Sequence, residues 1–169
     1  MKFWSFIAIS VMMLFACGQP ETDEADKTRQ TVSMARSDTL RSQQIQLPER
    51  LMSVLRKEMQ LIEAGMGQLL SHLAQGKANE AATVAQNIHD SFILKRNLSP
   101  EELQQLVRLL PKSFVLMDHD FHGKAQKLAT AAQHGDFATA IQLYGDMSRA
   151  CVSCHALYAA GRFPMLANP

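Results

Sequence analysis

The chain has 169 residues, of which 47% are apolar and 20% are charged, so we expect one domain with a sizeable core and not a disordered chain. Seventeen Lys and Arg residues against sixteen Asp and Glu give a formal net charge of +1, which excludes the strongly basic surface of a nucleic-acid-binding domain. Three cysteines are too few for a disulfide scaffold, and the scarcity of glycine and aromatic residues favours helices over strands.

Residues 1–16 predict an export signal. The apolar run from Phe3 to Phe15 is shorter than the roughly 20 residues that a membrane-spanning helix needs. The run leads into Leu14-Phe15-Ala16-Cys17, which resembles a bacterial lipoprotein signal and implies cleavage before Cys17 and lipidation of its thiol. In this resemblance Gly18, which is not Asp, implies a periplasmic protein anchored by lipid to the outer membrane of a Gram-negative bacterium, with the inner membrane as the less favoured alternative. An ordinary signal peptide with an incidental cysteine is the alternative.

Residues 17–46 predict a flexible tether between the lipid anchor and a folded domain. Acidic residues come first and basic residues follow, among many Thr, Ser and Gln and without apolar periodicity. A short helix from Thr31 to Gln44 is the alternative interpretation of this segment.

Residues 47–163 predict an all-α domain, an antiparallel four-helix bundle, followed by a C-terminal tail at 164–169. Pro48 is expected at the first helical position, and the first helix then carries an apolar seam at spacings of three and four until Gly76. The seam residues are Met52, Leu55, Met59, Ile62, Met66, Leu69 and Leu73. The outer face of this helix is expected to expose Arg56, Lys57, Glu58, Gln60 and Glu63.

End signals and stripes predict the other helices. A second helix is expected from an Asn79 cap, and a capping box at Ser99 predicts a short extra helix through Leu110. A third long helix follows Pro111 and ends near Gly135, where Asp136 caps the fourth. The apolar stripe of the second helix is Ala81, Val84 or Ala85, Ile88 and Phe92, and that of the fourth is Phe137, Ile141, Tyr144, Ser148, Cys151, His155 and Tyr158.

The fourth helix contains Cys151-Val152-Ser153-Cys154-His155, the attachment signature of c-type heme. Positions i and i+3 share one helix face, so both thiols can reach one porphyrin edge while His155 turns its imidazole to the iron. A redox Cys-x-x-Cys pair would open a helix after a strand, and a zinc site would need a second pair of ligands. The sequence therefore predicts heme c bound covalently in the core of the bundle.

With this motif at the end of its last helix, the domain resembles the class II cytochromes c, the cytochrome c′ family, from about Leu47 to Gly161. Supporting segments are Glu63-Ala64-Gly65-Met66-Gly67 and Ala131-Ala132-Gln133-His134-Gly135-Asp136. The chain departs from the family at Ala159, where an Arg usually follows Tyr158, and in its extra helix at 99–110.

The ligand opposite His155 decides the function. Met52, Met59 and Met66 share the seam of the first helix, and helical geometry does not choose between them, because Met is also a common core residue. The resemblance implies Met59, since the distal-ligand position of the family lies eight residues before the residue corresponding to Gly67. The heme pocket is expected to include Leu55, Ile62, Met66, Phe121 and Tyr158. A histidine is the alternative sixth ligand, from His72, His89, His119, His122 and His134.

A heme with His155 and Met59 as ligands predicts a single-electron carrier, not an enzyme, that serves redox partner proteins near the membrane. A five-coordinate binder of NO or CO, of the cytochrome c′ type, is the alternative. A peroxidase would need a distal acid–base pair, for which the sequence offers no clear candidate. Related bundles form homodimers through their first two helices, and a homodimer is left open here.

Overall fold

A computed structural model describes residues 27–31 and 44–167. The predicted export signal, Cys17 and most of the predicted tether lie outside the described residues. Residues 27–31 are helical. Of the alternative helix predicted from Thr31 to Gln44, the structure describes only Thr31 and Gln44, and Gln44 lies outside any helix. No helix of the described part is both long and apolar enough to cross a membrane.

The domain is built from helices alone over the described residues 44–167. The helices are α1 (Glu49–Ala74), α2 (Ala78–Asp90), α3 (Leu94–Asn97), α4 (Pro100–Leu109), α5 (Lys112–Gln133), α6 (Phe137–Tyr158) and α7 (Pro164–Ala167). Four of them close a ring in which α1 packs against α2, α2 against α5, α5 against α6, and α6 against α1. This architecture confirms the predicted all-α four-helix bundle.

Two glycine turns connect the helices at one end of the bundle, which we call the turn end (residues 75–77 and 134–136). Gly76 and Gly135 have φ angles of 67° and 70°, the left-handed conformation that follows many helices. Asp136 caps α6 as predicted, because its carboxylate accepts a hydrogen bond from the Thr139 N–H at 3.0 Å. The predicted Asn79 cap is wrong, since the Lys77 N–H bonds to the His72 carbonyl and the tight turn lets α2 begin at Ala78.

The apolar faces of the four bundle helices meet in one core, the main cluster. Its buried residues are Ile62, Met66, Leu69, Leu73, Ala81, Ala82, Ala85, Ile88, Phe121, Ala125, Leu128, Ala129, Ala131, Ala132, Ala140 and Met147. The predicted stripe of α6 is wrong at Ile141, which is 46% exposed, whereas Ala140 and Met147 are 0% exposed. The inward face of α6 lies between the predicted stripe and these two residues, because Phe137, Tyr144 and Cys151 of the stripe also pack against the main cluster.

The opposite end of the bundle, where α1 and α5 begin and α2 and α6 end, is here called the site end. A second cluster lies there, formed by the buried residues Leu51, Val54, Leu98 and Leu106 with Leu47, Ile93, Leu94, Leu103 and Leu110 packed around them. The predicted capping box starts α4, since the Ser99 hydroxyl accepts the Glu102 N–H at 3.2 Å and the Glu102 carboxylate accepts the Ser99 N–H at 2.9 Å.

Glu58 contradicts the prediction for the outer face of α1, because it is 0% exposed. Its two carboxylate oxygens accept the backbone N–H groups of Phe92 and Ile93, each at 2.7 Å. These donors follow Ser91, whose φ of 63° ends α2 in the left-handed region. The two hydrogen bonds compensate the carboxylate for the hydration that it loses on burial.

Candidate heme site

The three residues of the predicted attachment motif lie in the last turns of α6. Cys151, Cys154 and His155 are all half-buried, and both cysteines are free thiols. Because Cys151 and Cys154 are three residues apart in continuous helix, their thiols lie on one face. Cys151 also packs against the main cluster, so this face is turned toward the core of the bundle.

The surroundings keep both thiols uncharged. Burial raises the pKa of Cys151, and burial together with the charges of Asp118 and Cys151 raises the pKa of Cys154 to about 11. Redox-active pairs and thiolate metal sites rely on the opposite effect, a lowered thiol pKa. The raised pKa gives no support to the redox-pair interpretation, and two uncharged thiols on one helix face suit covalent attachment to a hydrophobic macrocycle. The zinc interpretation lacks further ligands, since no three His, Cys, Asp or Glu side chains come together in the described part of the chain.

His155 is kept neutral at the same end of α6. Burial lowers the pKa of its imidazole and the positive charge of Arg162 lowers it further, while Glu63 acts in the opposite direction. The ring stacks on Phe163, with centroids 4.5 Å apart and an interplanar angle of 17°. A neutral imidazole retains a nitrogen lone pair for a metal ion, and the stacked ring fixes its orientation.

Sequence reasoning missed Phe163, because it lies beyond the end of α6, where helical spacing no longer applies. The Phe163 N–H donates to the Ala159 carbonyl at 3.0 Å, so the chain turns after α6 and brings the Phe163 ring against the His155 imidazole. Arg162, which follows Gly161, lies 5.7 Å from the centre of the Phe163 ring. The chain has no Arg at position 159, and the positive charge that acts on His155 comes instead from Arg162.

Tyr158 anchors the end of α6 to the start of α5. Its hydroxyl donates to the Ser113 hydroxyl at 2.6 Å, and its ring meets Phe114 edge-on at a centroid distance of 5.3 Å. Since Tyr158 is the third residue after His155, these contacts fix the last turn of α6 against α5 and with it the height of the imidazole.

The other predicted pocket residues come from α1 and α5. Ile62, Met66 and Phe121 are buried in the main cluster, against which Met59 and Cys151 both pack. Leu55 is also buried, at 7% exposure, but lies outside that cluster. The structure thus brings the predicted ligand Met59 and the first attachment cysteine to one apolar cluster.

Electrostatics also connect α1 with His155. The negative charge of Glu63 acts on the pKa of His155, so this part of α1 is close to the end of α6. Met59 and Met66 lie four residues before and three residues after Glu63, on the same side of α1. Met66 is only 8% exposed, whereas Met59 is partly exposed at the margin of the cluster.

Four of the five histidines considered as alternative ligands are occupied elsewhere or exposed. The fifth, His72, lies in the last turn of α1 at the turn end, and its buried Nδ1 has no hydrogen-bond partner among the described residues. The His122 Nδ1 lies 2.6 Å from the Ile88 carbonyl, and the His89 Nδ1 lies 3.0 Å from the His122 carbonyl, so both imidazoles tie α2 to α5. His119 and His134 are exposed. Over the residues that the structure describes, no three His, Cys, Asp or Glu side chains form a metal site.

This donor set fits a heme: two uncharged thiols on one helix face, a neutral imidazole one residue beyond, and an apolar wall that includes the thioethers of Met59 and Met66. A family model described as Cytochrome C' matches residues 43–159 of the chain. Searches of curated proteins and of solved structures found no match. The match spans more than half of the sequence, and the chain therefore belongs to the cytochrome c′ family, which implies a heme cofactor.

Proposed function

We propose that this cytochrome carries single electrons through one heme c, with Cys151 and Cys154 as the covalent attachment residues and His155 and Met59 as the axial ligands. When bound, the heme supplies reversible one-electron chemistry at its iron. A Met ligand raises the reduction potential of such a centre, and so does burial among apolar side chains.

The observation that carries this proposal is the position of Met59. Its side chain packs at the margin of the main cluster, which also contacts Cys151, and it lies one turn from Glu63, whose charge reaches His155. Met66 supports the proposal less well, because its side chain is enclosed by the aliphatic core. A non-ligating aliphatic residue at position 59 would instead favour the gas-binding alternative.

The remaining residues hold the ligands in place and exclude water. Phe163 and Arg162 orient His155 and keep it neutral, and the bond from Tyr158 to Ser113 fixes the turn that precedes them. Ile62 and Phe121 form apolar walls that shield the buried face of the site. A site whose two ligands are both held in place changes little between two oxidation states, as an electron carrier requires.

The absorption spectrum of the purified protein tests this function. We expect a low-spin, six-coordinate spectrum in both oxidation states, because His155 and Met59 fill both axial positions. A high-spin spectrum would contradict the electron-carrier proposal and would support binding of NO or CO at an open position.

We further propose that the protein is not an enzyme and that its partners are redox proteins of the periplasm, which it meets while anchored to the outer membrane through Cys17. Attached acyl chains would bind the membrane stably, and the tether would raise the local concentration of the heme domain near its partners. Cys17→Ser should release the protein from the membrane fraction into the soluble periplasm. A wild-type protein that is entirely soluble would contradict the anchor.

A further inference from the structure

Glu58 is the one charged residue that is fully buried in the described part of the chain, and it precedes the proposed ligand Met59. Successive residues of an α-helix point about 100° apart, so the two side chains leave α1 in different directions but share its backbone. Whatever fixes the Glu58 carboxylate therefore also fixes the rotation and the height of the α1 turn that carries Met59.

The carboxylate is fixed by two backbone groups from one short connection. Phe92 donates to Oε1 and Ile93 donates to Oε2, both at 2.7 Å, which is the short distance of charge-assisted hydrogen bonds. Two bonds from consecutive N–H groups define the position of a planar carboxylate more closely than a single bond would. The connection begins at Ser91, whose positive φ ends α2 and directs the following Phe92 and Ile93 N–H groups toward Glu58.

The same connection divides the two apolar clusters. Phe92 packs against the main cluster, and its ring lies so close to Gly65 that a Cβ there would be 3.1 Å from Phe92 Cζ. Ile93 packs instead against the second cluster. Glu58 thus joins α1 to the point where the chain passes from one cluster to the other, and slippage of α1 would disturb both.

From these contacts we propose that Glu58 is a positioning residue for Met59, which sets the strength of the bond between its thioether and the iron by holding α1 against the 91–93 connection. The inference rests on the proposed function, because it requires Met59 to be the ligand. It assigns a role in the heme site to a residue that makes no contact with the heme ligands of α6.

The test uses the heme-loaded, reduced protein and carbon monoxide as the probe. CO can bind only when Met59 has left the iron, so its apparent affinity measures the fraction of open sites. Glu58→Gln keeps the shape of the side chain but offers one acceptor oxygen to two donors. We expect it to raise the apparent CO affinity at least about tenfold, the size of effect expected when a charge-assisted hydrogen bond is lost.

Two further variants separate positioning from the other roles that Glu58 could have. Glu58→Asp keeps the negative charge but is one methylene too short to reach both donors, so a positioning role predicts a rise in CO affinity here too, and a purely electrostatic role predicts none. Glu58→Asp also serves if Glu58→Gln does not accumulate as folded protein. Leu73→Ala removes buried apolar volume from the turn end of the same helix and should leave CO affinity unchanged.

The outcomes distinguish this inference from the proposed function. A rise in CO affinity in both Glu58 variants but not in Leu73→Ala supports a positioning role. Equal rises in all three variants, a rise in neither Glu58 variant, or a rise in Glu58→Gln alone would overturn that role while leaving the electron-carrier function intact. A wild-type heme that is already high-spin would overturn the function and the inference with it.

Discussion

The two ends of the bundle are built differently. At the turn end, two glycines in the left-handed conformation and one Asp cap connect the helices within three residues each. At the site end, the connection from α2 to α5 spans residues 91–111, with two short helices and the positive φ of Ser91. It packs against α1 through the second cluster and donates two hydrogen bonds to the buried Glu58 carboxylate of α1. The proposed heme residues lie toward this irregular end, which indicates that the turn end supplies rigidity and the site end supplies chemistry.

The largest effect that tests this division is expected from the attachment cysteines. Replacing Cys151 and Cys154 together with Ala should abolish covalent heme, because the proposed attachment uses these two thiols. Heme staining of denaturing gels is the measurement, and Met59→Ala, which leaves both thiols in place, should retain the stain. Heme that remains bound to the denatured double variant would contradict attachment at this end.

The second cluster at the site end should be structural. Leu106 is 3% exposed in that cluster, and Leu106→Ala should cost about 2–5 kcal/mol in the free energy of unfolding through lost burial and an unfilled cavity. Urea unfolding measures this loss, and the heme spectrum should stay as in the wild type. A changed spin state would show that the second cluster belongs to the heme site and would contradict its structural role.

Gly135 at the turn end should matter through its backbone conformation. Gly135 has a φ of 70° and open space where a Cβ would lie, so Gly135→Ala should cost about 1 kcal/mol through strain and not through a clash. Thermal unfolding checks the loss, and the heme spectrum is the control. A variant as stable as the wild type would show that the turn is less restrictive than its φ suggests.

The smallest expected effect concerns pH and the site end. Burial lowers the pKa of His122, but the hydrogen bond and charge of Asp118, the Ile88 carbonyl and the charge of Glu58 together outweigh it and raise that pKa. A raised pKa stabilises the fold fully below about pH 6.5, the unfolded value, and this contribution is lost as the pH rises through the folded value. The stability difference between the wild type and His122→Gln should therefore be largest below about pH 6.5 and should shrink as the pH rises through the folded-state pKa of His122.

His119→Gln is the matched control for this measurement, because His119 is exposed on the same helix. Its stability difference from the wild type should vary less with pH than that of His122→Gln. A His122→Gln difference that stays constant, or that grows as the pH rises, would contradict the proposed sign.

Three signals at the turn end were predicted correctly because they are local, whereas the Asn79 cap predicted at the same end was wrong. Gly76, Gly135 and Asp136 each stand within a few residues of the helix end that they determine, and the seam of α1 is a plain helical period. The family of the domain was also predictable, since the motif from Cys151 to His155 is short and contiguous. The predicted apolar stripe of α6 was wrong at Ile141, because α6 packs against both α5 and α1 and its own sequence does not show which residues face them.

The contacts at the site end could not be predicted, because their partners are distant in sequence. Glu58 stands between Lys57 and Met59 and has the spacing of a solvated residue, but its hydrogen-bond donors lie 34 and 35 residues further along the chain. Phe163 reaches His155 only through the bend after α6, which no periodicity describes. The donors to Glu58 are backbone N–H groups, which almost every residue type has, so the sequence does not indicate them.

Met59→Ala is the measurement that tests the central claim most directly, with Met66→Ala as its control. The account predicts that Met59→Ala converts a low-spin heme into a high-spin, five-coordinate one that binds CO readily, while the thioethers of Cys151 and Cys154 retain the heme. Met66→Ala should lose about 2–5 kcal/mol of stability from the core but keep the low-spin spectrum. A Met59→Ala protein that stays low-spin would contradict the account and would assign the sixth position to a histidine or to another methionine.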